Sequence, residues 1–455
     1  MELGKHKKTI ANSTGICYDL LSQNSPVFSA KEEKLKKEDQ PLTGISQSLP
    51  AEYAHWRQKS GWFLSSQAVS LFGSSITQFA IVWYVTLSTS SGVMIMLSSL
   101  CSFLPQILIS LFAGVWADRH NRKYLIMISD GAIALSTLIL AVIFLCGYQE
   151  LWLLFLVAAV RSAGTGVQMP AVTAMIPQIV PQEKLMRING LNSTIQSLTM
   201  LVSPAVSGAV LSMAGLEAAF FIDVVTAAIA IVIMSRLKVS KVRREEEETR
   251  GAFADLKFGL KYAWNHRFLR VFLFFYAGLM FLVTPAALLT PLLTTRTFGE
   301  EVWMLTANEM LWSFGTVIGG LIIAAWGGFR NRLSTLVMGT VVFGIFTMLL
   351  GFAGIFAVYL CFLFLTGLSM PFVGSPGMVL LQETVEPQMQ GRVFGLVQIV
   401  SSSAVPLGMA IFGPLADVVS VEWLLIITGI LMALLGASMP LCRSLREAGR
   451  HRTPA

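Results

Sequence analysis

GVWADRHNRK, residues 114–123, joins two long apolar runs, about 93–116 and about 124–146. At 1.5 Å per helical residue, each run is long enough to cross the ~30 Å hydrocarbon core of a membrane. The three cations of the joining segment would cost roughly 2.5–3.5 kcal/mol each at the centre of a bilayer, so they keep the segment out of the lipid and on the cytoplasmic side. The pattern therefore predicts two membrane-spanning helices joined by a short cytoplasmic loop.

The composition of the whole chain is typical of a polytopic membrane protein. Of its 455 residues, 54% are hydrophobic and 13% are charged, whereas a soluble chain is about 25% charged. Five scattered cysteines form no CxxC pair or Cys/His cluster, so neither a metal site nor a disulfide framework is expected. Residues 1–60 contain no apolar run, so we expect no cleavable signal peptide. No P-loop, HExxH or Ser/His/Asp pattern occurs, which argues against an ATP-driven pump or an enzyme.

Twelve apolar segments follow residue 60 and predict an all-α protein with twelve transmembrane helices. We place the spans at 61–85, 93–116, 124–146, 151–176, 188–212, 218–236, 268–290, 303–328, 333–352, 355–377, 393–415 and 423–441.

These spans divide the chain into two halves with polar flanks. The predicted parts are a polar, disordered tail (1–60), a first six-helix half (61–236), a linker (237–267), a second six-helix half (268–441) and a basic tail (442–455).

Lysine and arginine are distributed very unevenly over these parts. Of the 33, 31 fall in the two tails, the linker and the loops of one side, whereas the other side holds only Arg296 and one span holds Arg161. Cytoplasmic loops carry such an excess of cations. We therefore expect a multi-pass protein of the cell membrane with both termini in the cytoplasm. The same distribution explains the net charge of +7 without a nucleic-acid partner.

The two halves carry a weak internal repeat. The pattern W-x4-N-R occurs at 116–122 and again at 326–332, and R-x2-G-L occurs at 187–191 and at 392–396. Six spans per half give both halves the same orientation, so we expect parallel bundles related by an axis along the membrane normal, with a site between them. The repeat places Gly328 opposite Asp118, so only the first loop has the acid.

The loop pattern, with Gly114, Asp118, Arg119, Arg122 and Lys123, resembles the loop between the second and third helices of the major facilitator superfamily, a large group of secondary transporters. A carboxylate at this place can accept hydrogen bonds from free backbone N–H groups at the start of another helix, near 391–392. It would then be a latch that holds one conformation shut. The alternative is an ordinary basic loop with one solvated aspartate.

Within that superfamily the chain is most similar to the drug:proton antiporter branch that contains the macrolide efflux proteins. Besides 114–123, the similarity lies in MPAVTAMIP at 169–177, VPQEKL at 180–185, SPA at 203–205 and GRVF at 391–394. It implies a monomeric exporter of amphiphilic, drug-like compounds such as macrolides, exchanged for protons by rocking of the halves, with no cofactor besides the proton gradient. The alternatives are export of another cargo, such as a siderophore or a lipid, and a non-transporting receptor or scaffold.

Ionisable groups inside spans are costly and mark candidate proton-coupling residues. Arg161 begins RSAGTG, which resembles the fourth-helix motif R-x-x-Q-G-x-G of the superfamily with its Gln and the following Gly replaced or shifted. It would hold a nearby acid ionised in one conformation and leave it in another; the alternative is a structural Arg bonded to backbone carbonyls. The candidate acids are Asp130, Asp223 and Glu309. Asp130 could instead form a charge network with Arg119 or Arg122. Asp223 and Glu309 could each accept the proton, or each could merely cap or hydrate the outer vestibule; we favour Glu309 slightly for its glycine-rich helix face.

Two further groups of residues complete the predicted site. Ser203, Pro204, Ser207 and Gly208 form SPAVSG, which resembles the antiporter motif G-P-x-x-G-G with two glycines replaced by serine. It would pack the fifth span against the second half, although small residues and proline also serve plain packing. A roomy, mostly apolar cavity, suited to bulky amphiphiles, is predicted to be lined by Gln67, Gln78, Met169, Asn192 and Gln196.

Overall fold

The computed structural model describes residues 55–237, residue 239 and residues 252–449. The predictions for residues 1–54, for residues 238 and 240–251 of the linker and for residues 450–455 of the basic tail lie outside this part of the chain. Within the described ranges every regular element is a helix and no β-strand occurs. The prediction of an all-α membrane fold is confirmed.

Five helices form the first half. They are α1 Trp56–Thr89, α2 Gly92–Arg119, α3 Arg122–Leu145, α4 Leu151–Ile179 and α5 Leu185–Arg236.

Ten helices follow, several of them short. They are α6 Ala252–Asn265, α7 Arg267–Leu288, α8 Thr290–Thr297, α9 Val302–Trp326, α10 Arg332–Leu350, α11 Phe356–Ser369, α12 Pro371–Thr384, α13 Pro387–Val418, α14 Val421–Ser438 and α15 Arg443–Ala448.

Eleven described segments have the length and the apolar composition needed to cross a membrane. One of them, Gln182–Arg236, has 55 residues and contains both the fifth and the sixth predicted spans. Its helix is broken at Gly215, whose φ of 80° and ψ of −178° are not helical. Glycine adopts this conformation readily because it has no Cβ. Counted separately on either side of Gly215, the described segments correspond to the twelve predicted spans.

The repeated pattern W-x4-N-R has the same local structure in both halves. Asn121 and Asn331 each cap a helix by accepting a hydrogen bond from the backbone N–H two residues later, at 3.0 Å in both cases. The next residue, Arg122 or Arg332, donates to the carbonyl five residues earlier, at 3.0 Å and 2.7 Å. The motif thus turns the chain between two spans and ties the start of one to the end of the other.

Each half has a buried apolar core. In the first half Phe144 packs edge-on against Phe220, with ring centroids 5.7 Å apart. In the second half Trp312 packs edge-on against Phe343, with centroids 6.1 Å apart. Ile95 of α2 belongs to another buried cluster that is otherwise formed by the second half. This cluster therefore joins the two halves through apolar contact.

Helices cross closely where glycines meet backbone. α10 and α14 cross at Gly344 and Gly429, where a Cβ on either residue would lie 2.6 Å from the carbonyl oxygen of the other. α2 meets α13 in a similar way at Gly92 and Gly413, where a Cβ on Gly413 would lie 2.9 Å from the Gly92 oxygen. Small residues at such crossings allow the van der Waals packing that holds helices together in lipid.

Replacing Gly215 tests the break between the fifth and sixth spans. Because a side chain is strained at this backbone conformation, Gly215→Ala should cost about 1–3 kcal/mol of stability and lower the melting temperature of the detergent-purified protein. Gly190→Ala is the matched control, because Gly190 lies in the helical part of α5 with no atom within 4 Å of a Cβ. Equal melting temperatures for the two variants would contradict the role assigned to Gly215.

Candidate functional site

The first half contains a fully buried ion pair between α4 and the second part of α5. Arg161 Nη1 donates to Asp223 Oδ2 and, at 2.7 Å, to the Thr137 hydroxyl, while Arg161 Nη2 donates to the Ser74 carbonyl at 3.1 Å. Asp223 also accepts from the hydroxyls of Ser74 and Thr137, at 3.0 Å and 3.1 Å. The arginine is 5% exposed and the aspartate 0%. The pair and its ligands connect α1, α3, α4 and α5.

This arrangement combines the two roles that the sequence left open for Arg161. It does bond to a backbone carbonyl, as a structural arginine would, but its main partner is one of the candidate acids. Moving two charges out of water costs several kcal/mol per ion, and only mutual pairing and further hydrogen bonds offset that cost. Protonation of Asp223 would therefore leave the buried charge of Arg161 without its ionic partner.

Asp130 lies in α3 and is 2% exposed. Its Oδ1 accepts hydrogen bonds from the Ser70 hydroxyl at 2.9 Å and from Gln168 Nε2 at 2.6 Å, whereas its Oδ2 is buried without a partner among the described residues. The charge network predicted between Asp130 and Arg122 is not formed, because Arg122 bonds to backbone carbonyls of α2 and α4. The predicted alternative partner was Arg119, whose side chain lies outside the described residues.

A serine hydroxyl on α1 donates to each of the two buried acids. Ser70 donates to Asp130 and Ser74 donates to Asp223, and the two serines are one helical turn apart. Each acid is thus held by its own hydroxyl on the same helix. We did not select Ser70, Ser74, Thr137 or Gln168 from the sequence. The spacing S-x3-S-x3-S at 66–74 in an apolar span is the signal that could have revealed the serines.

Glu309 is not part of this network. It lies in α9, is partly buried, and forms no hydrogen bond or ion pair with the described residues. Its neighbour Asn308 accepts from the Tyr359 hydroxyl at 2.7 Å. The glycine-rich face expected next to Glu309 packs within the second half, because Gly315 and Gly319 lie against the backbone of α11.

The 114–123 loop is anchored to the first half by its cations. Lys123 Nζ donates to the carbonyls of Ser235 and Leu237, at 2.7 Å and 2.8 Å, and Arg122 donates to the Ala174 carbonyl at 2.8 Å. The side chains of Asp118 and Arg119 lie outside the described residues, so the latch they would form stays a prediction.

The SPAVSG motif packs α5 against both halves. The Ser207 hydroxyl donates to the Ile76 carbonyl of α1 at 3.0 Å, while Gly208 lies directly against the side chain of Thr306 in α9. Ser203 and Pro204 are buried, and no described group bonds to the Ser203 hydroxyl. The motif thus includes one contact between the halves, at Gly208.

The residues predicted to line a cavity are spread over different environments. Gln67 is buried at 8% exposure, with its Nε2 unpaired among described groups, and Gln78 donates to the Ser102 hydroxyl at 3.3 Å. Met169 is 51% exposed, Asn192 is partly exposed and Gln196 is exposed. Gln67 therefore lies inside the first half and not on an open wall.

An apolar cavity lies in the second half, between α7, α10 and α12. Its volume is about 470 Å³. Its lining includes aromatic and methionine side chains, among them Phe272, Phe275, Tyr276, Met370 and Met378. None of the five residues predicted to line a cavity contributes to it. No group of three His, Cys, Asp or Glu in the described chain is arranged to hold a metal ion.

Comparisons with known proteins agree with this fold. A family model described as Major Facilitator Superfamily matches residues 63–307 and 303–455. Macrolide efflux protein A of Streptococcus pyogenes is 29% identical over 402 residues, which cover 87% of this chain and 98% of the relative. Macrolide efflux protein A of Enterococcus faecalis is 30% identical over 322 residues, or 70% and 99% of the two chains.

One solved structure with the same architecture is that of the nucleoside transporter NupG. It is 13% identical, covers 84% of this chain and 98% of its own, and superimposes with a TM-score of 0.65. At this identity the match shows the fold alone.

The Arg161–Asp223 pair can be tested by removing one or both charges. Arg161→Met should destabilise the protein by about 3–5 kcal/mol, because it leaves Asp223 buried and uncompensated. The double variant Arg161→Met/Asp223→Leu should recover most of the lost melting temperature in detergent, since it buries no charge. A double variant no more stable than the single one would contradict a direct ion pair.

Proposed function

Because this chain belongs to the major facilitator superfamily, we propose that it exports amphiphilic, drug-like compounds, macrolides among them, in exchange for protons. Its efflux-type relatives support the direction and the class of cargo. The buried Arg161–Asp223 pair is the observation that carries the proposal, because an antiporter needs an acid whose protonation changes the helix contacts. The two halves would rock about a shared pathway, and the predicted Asp118 latch would close its cytoplasmic end.

Proton coupling would act through the four helices that the pair connects. An arginine stays charged at neutral pH, so only the carboxylate of Asp223 can gain or lose the proton. Protonation removes the partner of Arg161 inside a low-dielectric bundle, and the guanidinium must then move toward another acceptor. Since Arg161 is bonded to groups on α1 and α3 as well, its movement would change how these helices pack.

Asp130 is the second acid of the proposed proton path. Its Oδ2 has no hydrogen-bond partner in the described structure, so that oxygen is available for a proton. Ser70 and Ser74, one helical turn apart on α1, would each hold one of the two acids. Glu309, slightly favoured on sequence alone, is now the weaker candidate, because no described cation contacts it.

The cargo would bind at least partly in the apolar cavity of the second half. Its volume of about 470 Å³ is suited to the apolar body of a drug-sized molecule. Methionine and aromatic side chains adapt to ligands of different shape. Proton and cargo would then occupy different halves, so that coupling would pass through the relative movement of the halves.

Transport in inside-out vesicles tests the proton role. With an imposed proton gradient, wild-type protein should accumulate a radiolabelled macrolide, and Arg161→Met/Asp223→Leu should reach only the level seen without a gradient. Counterflow of the drug without a gradient should persist in that variant, since cargo exchange needs no proton. Glu309→Gln serves as the control and should retain accumulation. Gradient-driven accumulation by the double variant would refute the assignment to Asp223.

Filling the cavity tests the site of the cargo. Gly374 lines it, and no atom lies within 4 Å of the Cβ that a substitution would add. Gly374→Leu should therefore fold normally and raise the KM for the macrolide roughly 10-fold, equivalent to ~1.4 kcal/mol of lost apolar contact. Gly320→Leu is the control, because Gly320 also has free space but does not line the cavity. An unchanged KM in Gly374→Leu would exclude this cavity as the cargo site.

A further inference from the structure

A cluster of polar contacts joins the two halves at the end of the helices opposite the basic loops. Its centre is Asp417, in the last turn of α13. The carboxylate accepts hydrogen bonds from the backbone N–H groups of Gly92 and Val93, at 2.7 Å and 2.9 Å, and from the Ser91 hydroxyl at 2.8 Å. These residues begin α2, where backbone N–H groups have no partner within the helix. Asp417 therefore caps a helix of the other half.

Arg296 of α8 strengthens this connection. Its Nη2 donates to Asp417 at 2.7 Å and to the Ser90 carbonyl at 2.6 Å, and its Nη1 donates to the Ala416 carbonyl at 2.6 Å. One guanidinium thus bonds to the last turn of α13 and to the residue that precedes α2. Hydrogen bonds in which both partners are charged are about twice as strong as neutral ones.

Helices α2 and α13 approach each other more closely at one end than at the other. Near Asp417, a Cβ on Gly413 of α13 would lie 2.9 Å from the backbone oxygen of Gly92 in α2. Toward the basic end, no described atom lies within 4 Å of a Cβ on Gly114 of α2 or on Gly391 of α13. The pair α2–α13 is therefore in contact at the Asp417 end and has free space at these glycines of the basic end.

We propose that Asp417 and Arg296 form an outer latch, which holds the pathway closed at the end that the charge distribution predicts to face outside. The latch must release before cargo can leave on that side. This inference rests on the alternating access of the proposed function. It concerns only the contacts that close the outer end of the pathway, and it does not depend on which acid carries the proton.

The exposure of the pair suits a contact that opens and closes repeatedly. The side chains of Asp417 and Arg296 are 27% and 31% exposed, whereas those of Asp223 and Arg161 are 0% and 6% exposed. Water can reach the outer pair and solvate both groups when they separate, so breaking it costs far less than breaking a buried pair. The free N–H groups of α2 and the guanidinium still favour the closed state.

Distance measurements between the halves test the latch. In a full-length protein whose five cysteines are replaced, spin labels at Ser88→Cys and Ser420→Cys would report the separation at this end, because both positions are exposed and belong to different halves. Asp417→Asn should raise the ratio of long to short distances on the order of tenfold, as expected when charge-assisted contacts are lost from a two-state equilibrium. Arg296→Gln keeps the cap on α2 and should give a smaller rise.

Glu422→Gln is the matched control. Glu422 is an acid at the same end, but it accepts its hydrogen bond from Thr297 of its own half, at 2.8 Å. Its distance distribution should equal that of the parent protein. An unchanged distribution in Asp417→Asn, or an equal shift in Glu422→Gln, would overturn the latch. The measurement uses neither cargo nor gradient, so it can fail while proton-driven macrolide uptake succeeds, and the reverse.

Discussion

The exclusion of unpaired charge from the bilayer is the constraint on which this structure depends. Thirty-one of the 33 lysines and arginines lie on the side predicted to be cytoplasmic or at the span ends next to it, and Arg161 alone lies deep within a span. That exception is tolerated because Asp223, the Thr137 hydroxyl and the Ser74 backbone carbonyl accept hydrogen bonds from it. Four helices are thereby held around the Arg161 guanidinium. The group whose burial costs the most free energy in the first half therefore also influences how that half packs.

The fold could be predicted because lipid imposes a simple rule on sequence. Apolar runs of about 20 residues span the membrane, and all twelve predicted spans have helices at their positions. The W-x4-N-R repeat could be found in the sequence. Its structural role, to cap one helix and bond it to the end of the preceding helix, became clear only from the contacts of Asn121 and Arg122. Helix breaks were harder to place. Nothing local to Gly215 indicated that two spans would join with a single non-helical residue between them.

The candidate site was only partly predictable because its partners are far apart in the sequence. Arg161 and Asp223 were each recognisable as a costly residue in a span, but their pairing joins positions 62 residues apart. The choice of Glu309 over Asp223 relied on nearby glycines, which pack against α11 and say nothing about protons. Asp417, which lies just beyond the span predicted at 393–415, was not selected from the sequence. Its role depends on a helix start 325 residues earlier in the chain.

The two acids assigned to latches would act on the same pair of helices from opposite ends. Asp417 ends α13 and caps the start of α2, whereas Asp118, at the end of α2, is proposed to cap the start of α13. In each case a carboxylate at the end of one helix meets the free N–H groups at the start of its antiparallel neighbour. Rigid helices that pivot about their middle cannot approach at both ends at once. Closing one latch would therefore strain the other, and the equilibrium between the two states would depend on small changes in either contact.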